Sequence, residues 1–149
     1  MMWTYPQIMK QSTSNDVLDT LAMFTVLSAK ERISLLSGSQ ELTVPAGRVL
    51  MVEGSPGAEV MVLLEGSARV EVTGHTVGVV GSGELIGELA VIDHGVRSAT
   101  VTTTRESRVL IIGARQFSQA VERSPQFARR VLREVSLRLR SLDQSLVAN

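Results

Sequence analysis

The sequence predicts a mainly β domain of the α+β class, an antiparallel β-roll or jelly-roll barrel with helices before and after it. Three observations carry that expectation. Between about residues 40 and 113 the chain runs in short stretches of valine, leucine and threonine broken by glycine, as short strands joined by tight turns do. On either side, apolar residues recur at helical spacing. One stretch, residues 81–100, interrupts the strand pattern with glycines, acids and an arginine.

Composition sets the outer limits. With 149 residues, the chain has the length of one ordinary domain. A hydrophobic fraction of 44% and a charged fraction of 20% are globular values. The net charge of +0 gives no overall field toward nucleic acid or an acidic membrane. The absence of cysteine removes disulfide frameworks, thiolate catalysis and cysteine-type zinc sites, and it fits a reducing compartment. The start, Met1 to Pro6, has neither the basic nor the apolar region of a signal peptide. No apolar run approaches the roughly 18–20 residues of a membrane span. A cytoplasmic protein is expected.

In order along the chain, residues 1–13 read as a polar tail, and 14–149 as a single domain. From Asn15, with Asp16 as cap, Val17, Leu18, Leu21, Ala22 and Phe24 fall at helical spacing. Ser28 with Glu31 three places on is a capping-box pattern, and it starts a short helix carrying Ile33, Leu35 and Leu36. The N-terminal helices thus cover about 15–38. Strands are expected at Arg48–Met51, Val60–Leu64, Ala68–Val72, Thr76–Val80, Ala99–Thr104 and Val109–Ile112, inside a β region of about 40–113. Helices return at about 115–147. Phe117, Ala120 and Val121 mark a short one closed by Ser124-Pro125. Ala128, Leu132, Val135, Leu139, Leu142 and Leu146 mark a longer one, whose steps fit either a core-facing stripe or a coiled-coil seam.

The interrupting stretch carries the chemistry. Glu88 to Ile92 can form a single helical turn after Gly87. Unpaired backbone N–H groups at such a turn attract anions, and glycine lets the backbone approach a ligand closely. Nine places after Glu88 stands Arg97, whose guanidinium forks onto phosphate. Glu88 can accept from a sugar hydroxyl. A negatively charged phosphate joined to a sugar is the natural complement. The residues alone leave another reading open, in which Glu88 and Arg97 form an ion pair across a loop.

Gly87-Glu88-Leu89-Ala90, six intervening residues, then Arg97-Ser98-Ala99-Thr100 resembles the phosphate-binding cassette of the cyclic-nucleotide-binding domain family. Pro45-Ala46-Gly47, Glu53-Gly54 with Gly57, Leu64-Glu65-Gly66 and Gly81-Ser82-Gly83 stand where that family has its turn glycines. The similarity spans roughly residues 18–140. It implies that Glu88 accepts the ribose 2′-hydroxyl and Arg97 binds the exocyclic phosphate oxygens. Backbone N–H groups around Gly87, Leu89, Ala90 and Ser98 would complete the cradle beside Ala99, and Leu85 and Ile86 would line the sugar and base. It also implies a short phosphate-binding helix and C-terminal lid helices. Ile86 and Val96 replace the family's frequent phenylalanine and proline without removing a polar contact. In the family, threonine after the arginine often accompanies cGMP through its hydroxyl. Ser98 keeps a hydroxyl without the methyl, and serine occurs in members that resemble cAMP receptors. The resemblance thus implies cAMP as the ligand, with cGMP as the alternative. No cofactor is implied. At about 0.3 kcal/mol per atom over roughly 22 atoms, binding would be about −7 kcal/mol, in the micromolar range.

The family also implies a non-catalytic sensor with an unidentified effector protein, and a homodimer through the last helix as one arrangement. Arg129, Arg130, Arg133, Arg138 and Arg140 make that helix basic, most simply as a solvated face. Because the chain stops after this helix, direct DNA binding through a following recognition helix is not expected. A cupin-like metal enzyme needs converging histidines, whereas His75 and His94 are isolated and are expected in turns. A family-fold domain without ligand, acting as a protein-interaction module, is the alternative.

Overall fold

The computed structural model describes residues 21–148, with side chains as far as residue 141. Helix α1 (Ala29–Leu35) starts on the expected capping box: the Ser28 hydroxyl accepts from the Glu31 amide at 3.1 Å, and the Glu31 carboxylate accepts from the Ser28 amide at 2.8 Å. Ahead of it, residues 21–27 form turns closed by Phe24 N–H to Leu21 C=O and Leu27 N–H to Phe24 C=O bonds. The helix expected from Asn15 is therefore not continued through Phe24, and its earlier part lies outside the described residues. Met23, Phe24 and Leu27 bury through turns instead. On α1, Leu35 is buried whereas Ile33 is exposed.

Eight strands follow: β1 (Gln40–Val44), β2 (Val49–Met51), β3 (Glu59–Glu65), β4 (Ser67–Val72), β5 (His75–Gly81), β6 (Leu85–Ile86), β7 (Thr100–Thr103) and β8 (Ser107–Gly113). They form two antiparallel four-stranded sheets, in the orders β1-β8-β3-β6 and β2-β7-β4-β5. Strand pairing does not join the two sheets among the described residues, so the expected barrel is an open roll. Strands β1 and β6 are additions to the expected set. Glu41 on β1 is buried because Arg108 of β8 donates to it at 2.8 Å, so a charged position in a half-polar run packs inward.

Strands β3 and β8 are covered on both faces. Met61, Leu63, Val109 and Ile111 point between the sheets with Leu42, Val44 and Val101. Their alternate neighbours Val60, Val62, Leu110 and Ile112 meet the helices. That is why these two strands are continuous apolar runs rather than alternating ones. Helix α2 (Glu88–Ile92) is the single turn expected after Gly87, and α3 (Ala114–Arg123) and α4 (Pro125–Ala148) close the chain. Phe117 of α3 and Phe127 of α4 are fully buried, their ring centres 5.8 Å apart, and Phe24 lies 5.7 Å from Phe127.

Helix α4 turns a different face inward from the one its leucines suggest. Phe127 and Val131 enter the core, and Glu134, Val135 and Arg138 continue as a half-buried stripe. Leu132 and Leu139 are 65% and 56% exposed, so the described part of the leucine series is not a core-facing stripe. The cause lies underneath: the helix passes over polar groups that an arginine satisfies and a leucine does not. Leu142 and Leu146 lie beyond the described side chains. Among the described residues, no helix is long and apolar enough to cross a membrane.

Candidate functional site

Two side chains of opposite charge are buried in the motif. Glu88, the first residue of α2, is 2% exposed, and Arg97 is 5% exposed. Gly87 caps α2 at φ 84°, in the left-handed region that glycine enters at little cost. A Cβ there would overlap Arg97 Nη1 and lie 2.7 Å from Met51 Cε. Glycine at this position is therefore demanded twice, by backbone shape and by space.

The loop segment carrying Arg97, between α2 and β7, is clamped by the 52–57 turn. Arg97 N–H donates to Ser55 C=O at 2.8 Å, Gly54 N–H donates to Arg97 C=O at 2.8 Å, and Pro56 and Val96 form an isolated β-bridge. Glu53 N–H donates to Thr100 Oγ1 at 3.0 Å just beyond. Gly57 completes the clamp, since a Cβ on it would come within 2.7 Å of Ala90 Cβ. The turn glycines near Glu53 thus fix the arginine at the other side of the site.

Glu88 and Arg97 do not form the ion pair that the sequence left open. Arg97 Nη1 donates to Gly87 C=O at 3.1 Å, and the guanidinium has no carboxylate at ion-pair distance among the described residues. Burial lowers its pKa from the usual arginine value, with the charges of Glu59 and then Glu88 opposing. Glu88 instead pairs with Arg138 of α4, whose Nη1 donates to Glu88 Oε1 at 2.6 Å. Arg138 Nη2 also donates to Leu85 C=O and lies 3.8 Å from Glu84 Oε2. Burial pushes the Glu88 carboxyl above its ordinary value, while Arg138 and, more weakly, Arg97 pull it back.

The remaining residues of the motif surround this pair. Ala90 and Ala99 are buried, Ile86 lies between the sheets, and Ser98 is exposed. Leu89 is 42% exposed on the outer side of α2. Leu85 is fully buried in the cluster beneath the helices, and what it offers Arg138 is its carbonyl. Arg138 and Glu59 are the charged groups that sequence reading missed. The signal for Arg138 was its helical phase: it falls on the inward stripe Phe127, Val131, Glu134, Arg138, at steps of four, three and four. Among the described residues, no group of three histidine or acidic side chains is arranged to hold a metal.

The chain is similar to known proteins over most of its length. The chain is 21% identical over 137 residues to a CRP-like cAMP-activated global transcriptional regulator of Mycobacterium tuberculosis, covering 89% of this chain and 61% of the regulator. It is 31% identical over 106 residues to a cyclic nucleotide-gated potassium channel of Rhizobium etli, covering 71% of this chain and 30% of the channel. The chain therefore spans less than two thirds of the length of either relative. The solved regulatory domain of Toxoplasma gondii protein kinase A with cAMP superposes with a TM-score of 0.65 at 25% identity, covering 74% of this chain and 44% of that one. The sequence pattern of the cyclic nucleotide-binding domain matches residues 41–124, from the buried Glu41 of β1 to the end of α3, and the chain belongs to that family.

Proposed function

We propose that this domain binds cAMP in preference to cGMP as a sensor, performs no chemistry on it, and passes occupancy to its C-terminal helix. One observation carries the reading: the Arg97 guanidinium is buried, has no counter-ion at contact distance among the described residues, and faces a glycine-shaped turn. A buried charge without a counter-ion is costly, and an anionic phosphate lowers that cost. Arg97 is the fork for the exocyclic phosphate oxygens, with N–H groups around Gly87, Leu89, Ala90 and Ser98 beside it and Ala99 packed next to them. Glu88 is the acceptor for the ribose hydroxyl. Arg138 takes only Oε1 of that carboxylate, and a carboxylate has acceptor capacity on both oxygens. Ile86 and the Leu85 backbone border the sugar.

The helix response follows from Arg138. It joins α4 to the same carboxylate that would receive the sugar, so ligand and helix meet on one group. The docked arrangement of α4 is the state that ligand favours, and binding shifts the population toward it. An effector protein reading the position of α4, a homodimer through its exposed leucines, and a cytoplasmic setting complete the proposal. The cAMP named for the Mycobacterium and Toxoplasma relatives supports the choice of ligand.

Calorimetry on nucleotide-stripped protein with cAMP, cGMP and linear 5′-AMP, beside Arg97→Ala, tests this. Cyclic nucleotide should bind saturably, cAMP most tightly, and the variant should lose about 1.5–3 kcal/mol, the value of a charge-assisted contact. A folded protein that binds none of the three would instead be an interaction module.

A further inference from the structure

Beside α2 lies a cavity of about 400 Å³, and of its lining residues the cyclic-nucleotide reading uses only Ala90. Its volume falls in the range of small-molecule sites, roughly 300–1,000 Å³. Pro56 and Gly57 of the clamping turn form one wall, Ala90 and Val91 of α2 another, and Ala114 of α3 contributes a third apolar surface. Three polar side chains stand among these: His94, Arg115 and Ser118. None of the lining residues is acidic. Arg97 does not line it, but two lining residues, Gly57 and Ala90, border the Arg97 guanidinium or the phosphate cradle, so the cavity adjoins the phosphate position without including the arginine.

Arg115 is the one charged group among the lining residues. Arg115 is exposed and has no hydrogen bond or ion pair among the described residues. His94 is held at φ 57°, a backbone region uncommon for a residue other than glycine. The adjacent acid, Asp93, is turned onto the loop itself, where its Oδ1 accepts from Gly95 N–H at 2.8 Å. A cationic fork, an imidazole and a hydroxyl beside an apolar pocket match a small molecule with an anionic head and a short apolar body.

We propose that this cavity is a second ligand site, specific for a small organic anion, a carboxylate or a phosphate monoester, whose head Arg115 binds with Ser118 and His94 and whose body rests on Pro56, Ala90 and Val91. The site is a seam: it joins the segment carrying the candidate nucleotide groups to the helix that leads into α4. Its occupant touches both.

The test is an amide-resolved NMR titration of the full chain with benzoate, phenyl phosphate and uncharged benzyl alcohol, repeated with cAMP present. One or both anions should bind saturably, with shifts centred on residues 56–57, 90–95 and 114–118, and the tighter of the two identifies the head group. Arg115→Gln should weaken that anion by about tenfold, the loss of one charge-assisted contact, while Arg115→Lys should retain most of it. Being exposed, Arg115 tolerates both changes without loss of the fold. Equal binding of benzyl alcohol, indifference to Arg115→Gln, or shifts centred on Arg97 and Ser98 would each overturn the proposal. Because the readout is the anion's own binding, it stands or falls whether or not the chain binds cAMP.

Discussion

Gly87, Glu88 and Arg97 were legible because they lie within eleven residues and each type has a distinct physical use: close backbone approach, hydroxyl acceptance and anion binding. What the sequence left undecided was which charges pair. The partner of Glu88 stands fifty positions away on α4, and an arginine in a basic helix reads as a solvated face until the fold places it. That pairing has a pH consequence. Burial raises the Glu88 carboxyl from its ordinary value of 4.5, against the pull of Arg138 and Arg97. The folded chain therefore holds this proton more tightly than the unfolded chain. The resulting contribution to stability is fully present below the unfolded value and is lost as pH rises through the folded one. Urea unfolding at a series of pH values should show the native protein gaining stability over Glu88→Gln, which does not titrate there, as pH falls from 7 toward 5. A difference constant across that range would mean that Arg138 fully offsets the burial.

Among the elements, the helix that starts on Ser28 and the single turn at Glu88–Ile92 were readable from local chemistry, a capping box and a glycine before an acid. Strand β6 was not, because two residues are too few to show a period, and its existence depends on Met61 and Val62 of β3 pairing with it. The phase of α4 was not readable either. Its leucines fit a regular seam, yet the inward face is set by Phe127, Val131 and the reach of Arg138. Beyond Val131, Arg138 makes the polar contacts between the described part of α4 and the rest of the fold. Arg138→Gln should therefore speed hydrogen exchange in residues 134–146 and leave 126–131 protected by the core. In the native protein, cAMP should slow exchange over 134–146, and in the variant that effect should shrink. Exchange unchanged by both ligand and mutation would separate α4 from the site.

At the scale of the molecule, the mainly β class and the helix–sheet–helix order followed from the switch in apolar period at about residues 38 and 114. The open roll did not follow, since closure depends on which edge strands meet. Two packed layers result: a sheet-on-sheet cluster around Leu63 and Val109, and a helix-on-sheet cluster around Phe117 and Phe127. The second layer holds α3 and the start of α4 in place above the site, with Phe127 between Phe24 and Phe117. Phe127→Ala should cost about 3–5 kcal/mol by leaving a cavity there, read as a lower denaturation midpoint in urea. It should also weaken cyclic nucleotide binding, because Arg138 follows from the same helix eleven residues on. Val101→Ala, in the sheet-on-sheet cluster far from α4 in packing terms, should destabilise the fold without a comparable loss of affinity under conditions where both variants remain folded. Equal losses of affinity in the two would show that binding tracks global stability rather than the seating of α4. A loss confined to Phe127→Ala would tie the nucleotide site to the helical layer.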